Sequence, residues 1–155
     1  MAVSRFAYLP IELKSREFAG QVTLANQLIR SGFEVYLGSY AAILNLLETK
    51  TSKGGIFFER GVQNDKLLEF IKVKVNFIFF CDTELSPILD SKEDKNEALT
   101  SKIELSRIAI DARLTNQMVP FIDAYFTIGE PYTSIAKTIL PAEIVHETGR
   151  PRFDL

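Results

Sequence analysis

Short apolar runs alternate with segments of helical periodicity along the whole chain. The runs consist mainly of Phe, Ile, Leu and Val, as in buried strands. Between them, apolar residues recur every three or four positions, which is the spacing of one face of a helix. This alternation is typical of βαβ units, so the sequence predicts a three-layer α/β/α fold with a mainly parallel sheet of about six strands. The predicted strands cover residues 6–9, 33–37, 56–58, 77–81, 124–128 and 144–146.

The first helix carries the clearest start and stop signals. Pro10 interrupts the first strand, Ser15 is expected to cap the N-terminus of the helix, and Gly32 is expected to end it. Apolar residues at helical spacing predict which face of the helix lies against the sheet. That predicted buried face consists of Phe18, Val22, Ala25 and Ile29.

Signals farther along the chain support the same architecture. Ser39 follows the second strand in the position of a helix N-cap, and Pro131 suits the first turn of a later helix, where its missing N–H is no loss. The charged stretch at residues 86–96 predicts a mobile loop, and residues 97–117 have the pattern of a long helix.

Composition and charge narrow the classes of function. With 155 residues, 46% of them hydrophobic, the chain is expected to fold as one domain spanning residues 1–155. The formal net charge of -2 argues against nucleic acid as a partner, because binding the phosphate backbone needs a concentrated basic surface. One Cys and one His cannot supply the common zinc-ligand spacings, so no metal site is predicted, and what stays open is a hard cation that is supplied with substrate and held by carboxylates.

The sequence has no segment that predicts export or membrane insertion. Its longest apolar run, residues 77–81, is far too short to span a bilayer, and no apolar stretch of signal-peptide length follows the N-terminus. Cys81 lies inside that run and is expected to be a buried reduced thiol. These features predict a cytoplasmic protein and leave open peripheral contact with the inner face of the membrane.

Polar residues follow each predicted strand at the point where it ends. Ligands of open parallel sheets bind beyond the carboxyl ends of the strands, where helix N-termini gather. These residues are therefore the candidates for a functional site. In chain order they are Glu12, Lys14, Ser15, Arg16, Glu17, Gly38, Ser39, Tyr40, Glu59, Arg60, Asp82, Glu84, Gly129, Glu130, Thr148, Gly149 and Arg150.

Two groups among these residues have a specific chemical interpretation. The cluster from Lys14 to Glu17 can cradle an anionic sugar or phosphate, with Arg16 in bidentate geometry, or supply a carboxylate for acid–base chemistry. Alternatively, it is an ordinary charged first helical turn in which Glu17 balances the helix macrodipole. Asp82 and Glu84 are spaced to share one side of a loop, either as a pair that deprotonates a sugar hydroxyl or as carboxylates that cap the loop.

Several common kinds of site are missing from the sequence. No glycine-rich dinucleotide fingerprint follows the first strand, and no phosphate-binding loop with its lysine occurs, so no cofactor is predicted. His146 is the only imidazole, and its isolated position on a strand favours a packed residue over a catalytic base.

Four stretches, spread over nearly the whole chain, have the form of family motifs. They are Pro10-Ile11-Glu12-Leu13-Lys14-Ser15-Arg16-Glu17, Asp82-Thr83-Glu84, Phe126-Thr127-Ile128-Gly129-Glu130 and Thr148-Gly149-Arg150-Pro151-Arg152-Phe153-Asp154-Leu155. In this order they resemble motifs of the surface carbohydrate biosynthesis proteins, a family that includes retaining Kdo transferases of capsule and O-antigen assembly. The first and last stretches are the more specific ones. The chain departs from the family pattern at Thr83, Leu85, Ile128 and Arg150.

The resemblance implies the N-terminal, acceptor-side, Rossmann-like domain of a two-domain (GT-B type) glycosyltransferase that builds bacterial capsule or lipopolysaccharide. In that family the last motif leads into a second domain, which binds the nucleotide sugar and is expected to lie outside these residues. Two partners are therefore implied, a glycan or glycolipid acceptor and a donor-binding domain in cis or in trans. Little or no transfer is expected from this polypeptide alone, because charge on the leaving nucleotide would have no stabilising group.

The resemblance also implies roles for residues at the strand ends. Glu17, Glu84 and Asp82 become the candidate catalytic carboxylates, and Arg16 is expected to orient an acidic sugar or phosphate. The remaining candidates for substrate binding are Glu12, Lys14, Ser15, Ser39, Gly129 and Arg150.

Two alternatives stay open at the level of sequence. One is a non-catalytic binding or assembly subunit derived from such an enzyme, which keeps the acceptor fold without the chemistry. The other is a flavodoxin-like regulatory domain phosphorylated on Asp82, for which Glu12 supplies only part of the acidic pair that such a site needs.

Overall fold

The computed structural model of the protein describes residues 5–50, 54–60, 64–81, 114 and 117–149. These residues form a six-stranded, all-parallel sheet with helices packed on both faces, so the predicted α/β/α fold is confirmed. The strands are β1 (Phe6–Ile11), β2 (Glu34–Ser39), β3 (Ile56–Glu59), β4 (Phe77–Cys81), β5 (Ala124–Thr127) and β6 (Val145–Glu147). The helices are α1 (Lys14–Arg30), α2 (Tyr40–Thr49), α3 (Asp65–Lys74) and α4 (Glu130–Ile139), with short 3-10 turns at Val119–Phe121 and Ala142–Ile144.

The strand order, β2-β1-β3-β4-β5-β6, sets the position of a crevice. From β1 the chain moves outward to β2, crosses back over β1 to β3, and continues in that direction to β6. The direction of winding therefore reverses between β1 and β3. In open α/β sheets such a reversal separates the connections that follow the two strands and opens a crevice at their carboxyl ends.

The handedness of the crossovers explains which face each helix covers. Tyr8 and Leu9 are consecutive residues of β1, so their side chains point to opposite faces of the sheet. Leu9 packs with Ala25 of α1 on one face. Tyr8 and Phe57 pack against α2 and α3 on the other face. A third cluster, around Phe80, joins α4 to the far end of the sheet.

The buried face of α1 differs from the predicted one. Ala25 is buried as expected, but Phe18 is 44% exposed and Ile29 is 56% exposed. The helix is rotated so that Glu17 and Gln21 are buried instead. Both polar side chains form hydrogen bonds at the end of β1, and these bonds offset the cost of burying them. The prediction was wrong because apolar spacing carries no information about such partners.

The junction between β1 and α1 also differs from the prediction. β1 continues through Pro10 to Ile11, and the N-cap of α1 is Leu13, which makes no side-chain cap hydrogen bond, instead of Ser15. Pro10 is tolerated because the β1–β3 pairing ends at Tyr8, so Pro10 has no β3 partner that requires an N–H. The β1–β3 pairing therefore stops before the carboxyl ends of the two strands.

The other three helix boundary signals are confirmed, and Pro131 lies in the first turn of α4. Gly32 follows α1 with φ of +83° and donates to the carbonyl of Ile29 at 2.9 Å, while Phe33 donates to Leu28 at 3.0 Å. These two bonds form a Schellman motif, which requires a positive φ and so favours glycine. Ser39 caps α2 by accepting a hydrogen bond from the backbone N–H of Ala42 at 3.3 Å.

Other expectations fall partly outside the described residues. Nothing is described of residues 86–96, and only Leu114 and Gln117 are described in the range 97–117. Cys81 is only partly buried, so its predicted burial was overstated. His146 is exposed, and its ring lies 5.8 Å from that of Phe126. Among the helices of the described ranges, none has both the length and the apolarity that a membrane span requires.

Candidate functional site

A cluster of polar side chains lies at the carboxyl ends of β1 and β3, where the winding of the sheet reverses. Glu12 follows β1, Glu59 ends β3, and Arg60 follows it. α1 contributes Glu17 from its first turns, and α2 contributes Tyr40, its first residue. We call these five residues the switch-point site. Four elements of secondary structure converge on it, so its geometry depends on the whole amino-terminal half of the sheet.

Glu17 is held by two contacts to one oxygen of its carboxyl group. The residue is 3% exposed, and Oε2 accepts a hydrogen bond from the backbone N–H of Glu12 at 2.9 Å. The same oxygen lies 3.6 Å from Nη1 of Arg60. Glu17 therefore ties the residue that precedes α1 to the residue that follows β3. This arrangement joins the two sides of the crevice.

Glu59 is the most deeply buried carboxyl group of the site, with 1% of its surface exposed. Its Oε2 accepts a hydrogen bond from the hydroxyl of Tyr40 at 2.6 Å, and its Oε1 accepts one from the backbone N–H of Arg60 at 2.9 Å. Burial raises the pKa of Tyr40 well above its ordinary value, and the nearby carboxyl groups of Glu59 and Glu12 raise it further. Tyr40 therefore remains a hydrogen-bond donor at neutral pH.

Gln21 supports the site from the next turn of α1. Its side chain is buried, and Nε2 donates to the carbonyl oxygen of Pro10 at 3.3 Å. Since Gln21 follows Glu17 by four residues, the two side chains lie on one face of the helix and hold its first turns against the end of β1.

The site combines three carboxyl groups with one guanidinium group. Glu12 is exposed, whereas Glu17 and Glu59 are almost completely removed from water, and the side chain of Arg60 is 19% exposed. Burying carboxyl groups is costly even when they are hydrogen-bonded, and well-packed apolar residues at these positions would often be as stable. Clusters of this kind in a cleft are candidates for function, since groups that bind or react must be held in place there.

Only part of the predicted site is brought together. Glu12 and Glu17 lie in the switch-point site, and Ser39 adjoins it but is engaged as the N-cap of α2. Lys14 and Ser15 are exposed on the first turn of α1, with the ammonium of Lys14 5.6 Å from the centroid of the Phe18 ring. Arg16 belongs to the same turn, and its side chain lies outside the described part of the structure.

The remaining predicted residues do not belong to this cluster as far as the structure describes them. Gly129 precedes α4 with φ of +154°, and it follows β5, which is separated from β3 by β4. Asp82, Glu84 and Arg150 lie outside the described residues. The catalytic assignment of Asp82 and Glu84 therefore stays a prediction.

The sequence indicates part of the switch-point site without assigning a role to it. Tyr40, Glu59 and Arg60 were noted as polar residues at strand ends, and Gln21 was not noted at all. Glu59 ends an otherwise apolar strand, and Gln21 stands four residues after Glu17. The position of Glu59 at a strand end and the four-residue spacing from Glu17 to Gln21 are signals that could have identified these two residues.

Comparison of the chain with protein-family models, with curated proteins and with solved structures finds no match. Within the described ranges, no group of three or more His, Cys, Asp or Glu side chains is arranged to hold a metal ion. Function is therefore inferred from the geometry of the switch-point site together with the motif resemblance.

Proposed function

We propose that this domain is the acceptor-binding half of a two-domain glycosyltransferase of bacterial surface carbohydrate, and that the switch-point site contacts the acceptor sugar. The observation that carries the proposal is the pair of buried carboxyl groups, Glu17 and Glu59, fixed at the carboxyl edge between β1 and β3. Ligands of open α/β sheets bind at this position. The four motif-like stretches of the sequence support the choice of a carbohydrate ligand.

The carboxyl groups of the site suit the hydroxyls of a sugar, and within the site Arg60 is the group that suits an acidic substituent. Carboxylates accept hydrogen bonds from sugar hydroxyls, and a guanidinium group binds a carboxylate or phosphate in a planar, bidentate way. In this proposal Glu12 and Arg60, at the exposed side of the site, contact the acceptor. Glu17 and Glu59 act as positioning residues, because they hold the backbone of Glu12, the guanidinium of Arg60 and the hydroxyl of Tyr40.

The start of α1 favours the acceptor role over binding of the donor nucleotide. Helix N-termini often bind phosphate, because their unpaired N–H groups and dipole attract anions. Here the backbone N–H of Glu12, just ahead of α1, already donates to the carboxyl group of Glu17. A diphosphate at this point would meet that carboxyl group, so we assign the nucleotide sugar to a second domain.

Ligand binding by the chain itself tests the proposal. In saturation-transfer NMR, we expect a Kdo-containing oligosaccharide to bind the wild-type chain and CMP not to bind. Glu59→Gln keeps the shape of the side chain but alters its bonds to Tyr40 and Arg60, and we expect it to weaken sugar binding by about tenfold. Glu143→Gln, in the exposed turn Ala142–Ile144, is the matched control and should bind like wild type. Equal affinity of both variants, or binding of CMP in preference to the sugar, would contradict the proposal.

The strand order favours one alternative function. A sheet that begins β2-β1-β3-β4-β5 has the flavodoxin-like order, in which FMN binds at the β1/β3 reversal. A flavodoxin-like regulatory or binding domain is therefore the second candidate. The carboxyl group of Glu17 opposes the phosphate of FMN for the reason given above. Titration with FMN tests the FMN-binding form of this alternative, because the acceptor-domain proposal requires that FMN does not bind.

Addition of a separately produced donor-binding domain distinguishes a catalytic half from a non-catalytic subunit. Restored sugar transfer supports the enzyme, whereas sugar binding without transfer supports an assembly or binding subunit. Arg60→Ala in the reconstituted pair should then lower transfer through weaker acceptor binding, seen as a raised KM for the acceptor.

A further inference from the structure

The amino edge of the sheet, opposite the switch-point site, holds an aromatic cage filled by a lysine of the chain itself. The ammonium nitrogen of Lys50 lies 3.7 Å from the ring centroid of Phe6, 5.0 Å from that of Tyr8 and 5.4 Å from that of Tyr36. Lys50 also donates a hydrogen bond to the hydroxyl oxygen of Tyr8. All three distances are within the range in which a ring face attracts a cation, about 6 Å. We call the three rings the aromatic cage.

The strands, and not the lysine, hold the cage together. Phe6 and Tyr8 are alternate residues of β1, and Tyr36 is the partner of Tyr8 in the parallel pairing with β2. The rings of Tyr8 and Tyr36 are stacked, with centroids 5.4 Å apart and planes 10° apart, and the centroid of Phe6 is 6.1 Å from that of Tyr36. Tyr8 is completely buried, so its orientation is set by the core. The cage should therefore persist when Lys50 is replaced.

The surroundings of the cage favour a cation. The hydroxyl of Tyr36 donates to the carboxyl group of Glu34, which also interacts electrostatically with Lys50. Even so, burial lowers the pKa of Lys50 below its usual value, and the opposing effect of Glu34 is smaller. A primary ammonium group is strongly hydrated, so Lys50 loses part of its hydration when it occupies the cage. A more weakly hydrated quaternary ammonium group would lose less on entering the same position.

We propose that the aromatic cage is a binding site for an alkylammonium group of another molecule, and that Lys50 is its intramolecular competitor. Lys50 itself occupies the cage, and this indicates the class of ligand. The ligand carries a cation on an alkyl chain and enters the cage from the side on which Lys50 lies. A tethered competitor acts as if present at millimolar concentration, so the site is masked until Lys50 withdraws. This inference is independent of the acceptor proposal, because the cage and the switch-point site lie at opposite edges of the sheet.

Replacement of Lys50 tests the competition directly. Choline is the probe, and its binding is followed by the upfield shift of its methyl proton signal, which aromatic faces cause. Lys50→Ala should bind choline at least about tenfold more tightly than wild type, because the tethered competitor is gone. Lys50→Met keeps a chain of similar length without the charge, and it should show a gain smaller than that of Lys50→Ala because the uncharged chain still fills part of the cage. In Lys50→Ala, the additional change Phe6→Ala should remove the gain, since it deletes the closest ring.

A neutral ligand of the same shape separates cation binding from simple apolar contact. The alcohol 3,3-dimethylbutan-1-ol has the shape of choline without the charge, and we expect it not to bind Lys50→Ala. Binding of the alcohol as tight as that of choline, or no choline binding by a folded Lys50→Ala variant, would overturn the proposal. Circular dichroism establishes that the variant is folded.

The wild-type chain supplies a second test that does not depend on any variant. Choline keeps its charge at every pH, whereas Lys50 loses its proton at a pH below the usual value for lysine. Among the described residues, Tyr8, Tyr36 and Glu34 interact with the Lys50 ammonium, and the ammonium of Lys74 donates to the Lys50 carbonyl oxygen at 2.9 Å. Both tyrosine pKa values are raised. Choline should therefore bind wild type more tightly at about pH 10 than at about pH 7. Unchanged affinity over this interval would also overturn the proposal.

Discussion

The two edges of the sheet hold charged groups by different means. At the carboxyl edge, Glu17 and Glu59 are buried and fixed by directional hydrogen bonds from N–H and O–H donors. At the amino edge, the ammonium group of Lys50 lies over aromatic faces, an attraction that depends much less on angle. The carboxyl edge therefore fixes its carboxyl groups in one geometry, whereas the amino edge has an aromatic surface that can bind different cations.

The difference follows from the part of the chain that supplies the side chains. The switch-point site is built from residues at strand ends and first helical turns, where backbone N–H groups are available to bind carboxyl groups. The aromatic cage is built from residues inside two paired strands, whose spacing fixes the rings. We therefore expect the carboxyl edge to be sensitive to the loss of single polar atoms, and the amino edge to be sensitive to changes in packing.

Gly55→Ala should have the largest effect, and it acts through packing at the amino edge. Gly55 precedes β3 with φ of +95°, and a Cβ at this position would lie 2.6 Å from the carbonyl oxygen and 2.7 Å from the Cβ of Phe6. Phe6 belongs to the aromatic cage and has little room to move. We expect the strained backbone and the overlap together to lower the free energy of unfolding by about 2–4 kcal/mol, measured by urea denaturation.

Gly20→Ala is the matched control for this substitution. Gly20 lies inside α1, where an added Cβ would meet no atom within 4 Å. Alanine in the interior of a helix is more favourable than glycine, so this variant should gain up to about 1 kcal/mol. Equal unfolding free energies for the two variants would contradict the close approach between the start of β3 and Phe6.

Tyr40→Phe and Tyr36→Phe remove the same hydroxyl group from the two edges. Tyr40 donates to the buried Glu59, so its loss should lower the free energy of unfolding by about 1–3 kcal/mol, because a buried acceptor loses its donor. Tyr36 donates to the exposed Glu34, which water can solvate in its place, and the expected change is within about 0.5 kcal/mol. Urea denaturation of both variants measures the difference. Losses of similar size would mean that the two edges do not differ in the way we describe.

The sequence predicted the sheet more completely than it predicted the switch-point site. Each of the six strands overlaps a predicted one. The inner strands β1, β3, β4 and β5 are mainly apolar because burial between two helical layers demands continuous apolar residues. Helix boundaries set by local chemistry, such as Gly32 and the cap at Ser39, were also predictable. The rotation of α1 was not, because it depends on bonds from Glu17 and Gln21 to the end of β1.

Local sequence patterns could not predict which side chains contact each other at the two edges of the sheet. Tyr40 and Glu59 are 19 residues apart in the chain, and Lys50 and Tyr8 are 42 residues apart. Periodicity indicates which residues face the core, but it does not identify which of them meet across the sheet. The positions of Glu12, Glu17 and Glu59 after predicted strands did indicate the correct edge of the sheet. Parallel topology alone brings the carboxyl ends of the strands together.

The last expected effect concerns the aromatic cage at alkaline pH. Burial raises the pKa of Tyr8 from 10.0 to about 12, and the nearby groups of Tyr36 and Glu34 add to the shift. The unfolded chain therefore loses this proton before the folded protein does. The stabilisation from Tyr8 is complete below pH 10.0 and is lost as the pH rises toward 12, because the folded state binds more protons over that interval.

The pKa shift of Lys50 changes the unfolding free energy with pH in the direction opposite to that of Tyr8. The two effects can therefore be separated. Its pKa is lowered from 10.5, so the folded protein loses this proton first, and the free energy of unfolding rises with pH until the unfolded chain has also lost it. Well above 10.5 only the tyrosine effects continue, and Tyr8→Phe should therefore make the alkaline decline of the unfolding free energy shallower than in wild type. Some decline should persist, since the pKa of Tyr40 is raised as well. Urea denaturation at a series of pH values measures the slopes, and an identical slope in Tyr8→Phe would mean that this hydroxyl titrates as it does in the unfolded chain.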